Sequence, residues 1–281
     1  MVYNQNASLN RVIDHLTDSR HGHVDRSGLF RYDWKDQLIH AERYGESLDY
    51  AYSAAGNFTS NPELDNAPWR RDETAPTHLL PLGTAAKPYH FDGLGQLATS
   101  PTIQATRFDA FGQLIYAETD TAQIYYGYNH DGERIYKQVM PKGGTPTDPP
   151  LEAALSLFPL ETVAVEPSGH QSFVLLAGAR LARIEHAAER WFYYLKDHLD
   201  SSDYLMTPEG LPVEQMIYRP YGTERVAEEL SSVWREHLQN AGDKMPAEKT
   251  HHRFTGHYLD DDTGLYYFEA RYYDPELGRF V

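Results

Sequence analysis

Five stretches of this chain are variations on one short phrase. They are "YDWKDQLI" (Tyr32–Ile39), "YSAAGNF" (Tyr52–Phe58), "FDGLGQL" (Phe91–Leu97), "FDAFGQLI" (Phe108–Ile115) and "YNHDGERI" (Tyr128–Ile135). The shared pattern is aromatic, then Asp, Asn or Ser, two variable residues, as a rule Gly, one variable residue and, as a rule, an aliphatic or aromatic residue. The starts fall at 32, 52, 91, 108 and 128, so the steps are 20, 39, 17 and 20 residues. The gap of 39 reads as two periods with one unit worn away. A repeat of this length is one supersecondary unit that must stack on its neighbours.

The phrase has a mechanism. Asp33, Asp92, Asp109 and Asn129 suit the first position of a type I turn, and Gly56, Gly95, Gly112 and Gly132 suit its end. Glycine there takes the left-handed conformation that closes a three-residue hairpin loop. In the Tyr32 unit Asp36 replaces it, and Asp also visits that region. The register then puts Tyr32 opposite Leu38, Phe91 opposite Leu97 and Phe108 opposite Leu114. Each pair is a cross-strand contact of roughly 0.2–1 kcal/mol. Tyr52 and Tyr128 begin the other two units. A lone hairpin is marginal in water, so tandem hairpins imply one long, coiling antiparallel sheet.

Composition agrees with a β-rich chain: 21 of the 281 residues are Tyr, and aromatics favour pleated surfaces. The absence of Cys excludes disulfides, thiolate metal sites and cysteine nucleophiles. Net charge is −16, which disfavours binding to phosphate backbones. The acid excess reads first as a solubilising surface and second as attraction for a basic partner. No apolar run approaches the length of a membrane span. The first residues, "MVYNQNASLNRVIDHL", lack the basic and apolar regions of a signal peptide.

The repeats resemble the YD repeats of Rhs (rearrangement hotspot) proteins, wall-associated proteins and the C components of insecticidal Tc toxin complexes. The segment "RFTGHYLDDDTGLYYFEARYYDPELGRF" is similar to the end of an Rhs core, through Arg253, Gly256, Gly264, Tyr266, Tyr267, Arg271, Tyr272, Tyr273, Asp274, Pro275, Gly278 and Arg279. "YYLKDHLDSSDYLMTPEG" and "YRPYG" resemble a further family segment, departing from it at Asp200 and at Met206-Thr207. The resemblance implies a hollow shell, a β-sheet spiral enclosing a variable C-terminal toxin. It also implies an aspartyl self-cleavage region just beyond the point where this chain ends. No catalytic role therefore carries over to Asp274, and Asp274-Pro275 reads as a turn.

Other candidate chemistry is thin. Asp260–Asp262 lacks the ligand spacing of a calcium loop and reads as a solvated hairpin turn. The histidine pairs His21/His23 and His251/His252, and His186, His198 and His257, offer no third metal ligand at a recognisable spacing. Asp197-His198 with Ser201-Ser202 contains nucleophilic components but no nucleophile elbow. Two segments interrupt the β pattern. Residues 223–242 are amphipathic at helical spacing, with Val226, Leu230, Val233, Trp234 and Leu238 on one face. Residues 140–160 open as a Pro/Gly linker and admit a short helix. "AGARLARIEHAAERWFYYL" (Ala177–Leu195) reads as two strands around a turn near His186–Glu189.

The expected architecture is mainly β: a hairpin array over 1–139, the linker at 140–160, and a C-terminal core segment over 161–281 with one or two inserted helices. The expected role is a structural shell segment that encapsulates and delivers a toxin, with no enzymatic activity and no cofactor. Its expected partners are the rest of the shell, the enclosed toxin domain, and secretion-system or target-cell surface components. Nucleic acid is not among them. The chain is expected to be made in the cytoplasm and exported or held at the cell surface. The alternative is a β-module that binds cell-surface carbohydrate or a protein partner. Aromatics lining one solvent-facing groove would favour that alternative, and alternate burial would favour a wall.

Overall fold

In the computed structural model each repeat is a hairpin closed by one pair of backbone bonds. In the Phe108 unit the Asp109 amide donates to the Gln113 carbonyl at 2.9 Å, and the Gly112 amide donates to the Asp109 carbonyl at 3.1 Å. The Asp109 carboxylate also accepts the amides of Phe111 and Gln113, each at 2.9 Å. This is the side-chain turn that makes Asp the preferred residue here. Gly112 sits at φ +79°, and Asp36 reaches the same region at φ +59°. The register places Tyr32 opposite Leu38, Tyr52 opposite Phe58, Phe91 opposite Leu97 and Phe108 opposite Leu114.

Two side chains stitch one repeat to the next. The repeat tyrosine donates its phenol to the carbonyl of the preceding repeat's leucine: Tyr52 to Leu38 and Tyr128 to Leu114, both at 2.7 Å. The glutamine after the turn glycine lies against the glycine of the following turn, and Gln113 donates to the Gly132 carbonyl at 3.3 Å. The hydroxyl contact supplies a reason for tyrosine at these positions that hairpin packing alone does not.

The structure describes residues 2–3, 9–12, 15–18, 22–25, 28–43, 45–63, 69–71, 79–81, 89–144, 150–157, 161–164, 169–225 and 249–281. They fall into two compact units, Met1–Pro88 and Tyr89–Val281. In the first, Val2–Tyr3, Leu9–Val12, Gly28–Tyr32, Leu38–Arg43 and Glu46–Asp49 form an antiparallel sheet in that order. Phe30, Leu38, Ala41 and Tyr50 are among its buried residues.

The second unit holds an eleven-stranded meander in which every strand pairs antiparallel with its neighbour in sequence. Its strands are β1 (Ile103–Phe108), β2 (Leu114–Thr119), β3 (Ala122–Tyr128), β4 (Arg134–Pro141), β5 (Glu152–Leu157) and β6 (Glu161–Ala164). They continue as β7 (His170–Leu176), β8 (Ala179–Glu185), β9 (Arg190–Lys196), β10 (Ser202–Met206) and β11 (Pro212–Gln215). A separate four-stranded sheet follows: β12 (Tyr258–Asp260), β13 (Leu265–Phe268), β14 (Arg271–Asp274) and β15 (Arg279–Phe280).

The register separates two faces of the meander. Ile124, Val139, Phe173, Arg183, Phe192, Tyr194 and Leu205 lie on one face and are buried. Tyr125, Leu155, Val174, Trp191 and Tyr193 lie on the other and are exposed. Along β9 the pattern alternates residue by residue, as a sheet with one covered face requires.

Where the sequence admits a short helix, residues 152–157 form a strand instead. Its Glu, Ala, Leu and Ser are indifferent strand formers, but β4 presents an open edge and Tyr136 to Val139 pair with Leu155 to Glu152. Tertiary pairing overrides local propensity there. The meander thus runs through the linker region. Residues 226–248, which carry most of the expected amphipathic helix, lie outside the described residues. Ala177–Leu195 forms β8 and β9 around the 3₁₀ turn His186–Ala188.

The repeat turn also recurs where the sequence does not advertise it. The same pair of backbone bonds closes turns beginning at Asp197, Thr207, Arg219 and Arg253. Asp200 occupies the glycine position of the first at φ +68°, so its departure from the family pattern leaves the turn intact.

Candidate functional site

The terminal tyrosines build an ion-paired clamp where the four-stranded sheet covers β3 and β4. Its centre is Arg134. In the Tyr128 repeat, Arg134 stands opposite the motif tyrosine, where the other repeats carry Leu or Phe. Its Nη1 lies 2.5 Å from Asp260 Oδ2 and donates to the Tyr272 hydroxyl at 3.2 Å. The guanidinium stacks against the rings of Tyr267, Tyr258 and Tyr126, 4.5, 4.8 and 5.3 Å from their centroids. Its backbone amide donates to the Tyr267 hydroxyl at 2.7 Å. Tyr128 and Tyr272 share a hydroxyl contact at 3.0 Å.

Three residues along β4, Lys137 makes a second attachment. Its Nζ lies 2.9 Å from Asp262 Oδ2, 3.4 Å from Glu152 Oε1 and 3.5 Å from Asp260 Oδ1. The Asp260–Asp262 run is therefore not the solvated turn its sequence suggests. The Asp260 side chain is 0% exposed, and its charge is matched by two buried cations 126 and 123 positions earlier. Burial works against the charge of both cations, and the Asp260 carboxylate together with the neighbouring phenols and carboxylates outweighs it, so both are held protonated. Burial also drives the phenols of Tyr126, Tyr258 and Tyr272 upward, Tyr272 to about 12, so all stay neutral.

A second hub forms around Arg253. Its Nε donates to the Thr250 carbonyl at 2.7 Å, its Nη1 to Glu224 at 2.5 Å, and its Nη2 lies 3.7 Å from Asp261. Beside it Met216, Tyr218, Phe254, Leu259, Tyr266 and Tyr273 form one apolar cluster. Gly222 is fixed by that packing: a Cβ there would lie 2.6 Å from the Phe254 ring, at φ +95°. Gly256 is held similarly, because a Cβ would meet Asp200 Oδ2 at 2.7 Å.

The remaining motif residues play supporting parts. Arg271 lies over the Phe280 ring at 4.0 Å and Arg279 over the Phe91 ring at 5.4 Å. Gly264 closes the Asp260 turn, its amide donating to the Asp260 carbonyl at 2.8 Å. Asp274 accepts the Leu277 amide at 3.0 Å, with Pro275 and Gly278 in the same turn. Asp197 caps its own turn by accepting the amides of Leu199 and Ser201, and Ser202 donates to the His252 carbonyl. His251 stacks on Tyr258 and lies 3.3 Å from Asp261, while His257 stacks on Phe268. The repeat residues and terminal residues thus meet at β3–β4. The repeats from Tyr32 and Tyr52 belong to the other unit. The clamp's groups neutralise one another, and its chemistry is attachment: every cation faces a carboxylate, and every phenol is protonated.

Sequence reasoning missed Arg134 and Lys137. A signal existed for the first, since Arg134 interrupts the aliphatic position of an otherwise regular repeat.

No family model matches the chain. It is similar to Double-stranded DNA deaminase toxin A of Burkholderia cenocepacia (strain H111), 28% identical over 200 residues, covering 69% of this chain and 13% of that protein. It is also similar to Salivary gland surface protein 1 of Aedes aegypti, 33% identical over 91 residues, covering 32% of this chain and 2% of that protein. The fold matches a chain of the crystal structure of TcdB2-TccC3-Cdc42 with a TM-score of 0.72 at 18% identity, over 99% of this chain and 15% of that one. A chain of the TcdB2-TccC3 structure matches with the same TM-score at 17% identity, over 99% of this chain and 16% of that one. This chain therefore spans a small part of each of these proteins. The TM-scores establish a shared fold.

Proposed function

We propose that this chain is a wall segment of an Rhs/YD-repeat shell, and that the shell encloses and delivers a toxin carried on the same polypeptide. The observation that carries this reading is the eleven-stranded meander with a terminal sheet clamped to one of its faces. The fold likeness to the TcdB2-TccC3 chains supports it, as does the similarity to a much longer deaminase toxin. In this reading the clamp fastens the last strands of the wall to the strip before them. The chain contributes containment, and any catalysis belongs to the cargo. Its partners are the remaining shell and that cargo, and its site of action is outside the producing cell. Among the described residues no helix is long and apolar enough to cross a membrane.

Tyrosine burial favours a wall over a glycan-binding surface. Phe192 and Tyr194 are buried while Trp191 and Tyr193 on the same strand are exposed, so the aromatics alternate across the sheet. The test is protease protection of the product of the complete gene. Sequence C-terminal to Val281 should resist digestion under native conditions and become sensitive when the shell is opened by denaturant. Equal digestion of that sequence under both conditions would remove the enclosure reading.

A further inference from the structure

The final turn of the chain is built around an uncompensated carboxyl group. Asp274 ends β14, is 4% exposed, and accepts the Leu277 amide at 3.0 Å. Beside it Tyr89, 1% exposed and the first residue of this unit, donates its phenol to Glu276 Oε2 at 3.2 Å. Asp274, Glu276 and Tyr89 share the wall of a cavity of about 230 Å³ with Glu224, Thr263 and Tyr266, and among the described residues no basic side chain lines it. The charged groups around it can be taken element by element. Glu224, from the Arg219–Thr223 turn, is matched by Arg253 at 2.5 Å. The Asp260–Gly264 turn presents Thr263. On β15, Arg279 pairs across the strands with Asp274 through the backbone, but its guanidinium lies over the Phe91 ring. Asp274 is therefore a buried acid facing a second carboxylate and a phenol, with no described cation in ion-pair contact.

We propose that this turn is a proton-dependent latch, seated while Asp274 is neutral and released, together with its tie to Tyr89, when Asp274 ionises. The proposal rests on the cluster and its cavity and is independent of the shell reading. Burial pushes the Asp274 carboxyl up to about 7, with the Leu277 amide opposing the shift, the Glu276 charge reinforcing it, and the Tyr89 phenol and the Glu276 amide opposing it more weakly. In an open turn the carboxyl returns to about 3.9. A folded-state value above the open-state value means that the closed turn is favoured at low pH and loses stability as pH rises through about 7. With those two values the opening equilibrium grows roughly tenfold between pH 6 and pH 8.

Hydrogen exchange of the full chain tests this, read on peptides covering residues 271–281 and corrected for intrinsic exchange rates. The expected result is a roughly tenfold loss of protection from pH 6 to pH 8, most of it below pH 7 and levelling off above it, while peptides from β3 and β4 do not change. Asp274→Asn, which mimics the neutral acid, should stay protected at pH 8. Glu276→Gln removes the neighbouring charge and should make the profile level off at a lower pH than in the unmodified chain. A flat profile in the unmodified chain, an unaltered profile in Asp274→Asn, or a Glu276→Gln profile that does not level off at a lower pH would each overturn the latch.

Discussion

Replacing Arg134 with Met should cost about 3–5 kcal/mol, because it strands a carboxylate that cannot reach water. The magnitude follows from the surroundings. Asp260 is 0% exposed and loses the guanidinium 2.5 Å away, keeping only Lys137 at 3.5 Å. That residual cation sets the loss towards the lower half of the range. Three ring contacts also disappear, each worth roughly 0.5–1 kcal/mol in partly exposed settings and more when desolvated. The apolar Met side chain fills much of the same space, so cavity formation adds little. The control is the double variant Arg134→Met with Asp260→Asn. Removing both charges lifts the stranding penalty, so the double variant should be more stable than Arg134→Met alone by about 2 kcal/mol, a coupling typical of groups in one network. Native-state hydrogen exchange on β12 to β15 is the suitable assay, because it reads the clamped sheet separately from the rest of the chain. At about 1.4 kcal/mol per decade, a loss of about 3 kcal/mol raises exchange in those strands roughly a hundredfold. A loss under about 1 kcal/mol, or additive effects of the two substitutions, would refute the claim that this buried pair holds the terminal sheet down.

Three further outcomes follow from particular contacts. Gly222→Ala should destabilise by more than about 2 kcal/mol in chemical denaturation, since its Cβ would overlap the Phe254 ring and its φ is left-handed. Tyr128→Phe should cost about 1–2 kcal/mol, because the Leu114 carbonyl and the Tyr272 hydroxyl both lose a partner, and exchange in β2 should report it. Burial, then the charge of Arg180, depress the His252 pKa well below 6.5. The folded state therefore resists protonation, so stability should fall as pH drops below about 6.5, and His252→Asn should blunt that fall in thermal melts at pH 5.5 and 7.5.

The hairpins were legible because their causes are local. Asp109, Gly112 and the Phe108–Leu114 pair sit within seven consecutive residues, and each answers to turn chemistry alone. The turns at Arg219 and Arg253 share the backbone bonds but lack an Asx side chain at the first position, so no local rule marks them. β5 was ambiguous for the converse reason: its composition is neutral, and the edge of β4 decides its conformation. The Asp260–Asp262 run illustrates the limit most sharply. Beside Thr263-Gly264 it has every mark of a solvated turn, and its true partners are Arg134, Lys137 and Arg253. A charge's environment is set by what packs on it, and two of these three partners lie more than 120 residues away. What could have been read was the exception: a repeat that puts arginine where the others put leucine asks for a buried anion.

The central claim is that residues 103–215 form one strip of a shell wall with the terminal sheet fastened to it. Cryo-electron microscopy of the product of the complete gene tests this most directly. The account predicts a hollow particle whose wall contains the eleven-stranded meander, with β12 to β15 seated on β3 and β4 and density enclosed inside. A solid β-protein with no interior, or a particle in which the terminal sheet packs away from Arg134, would contradict it.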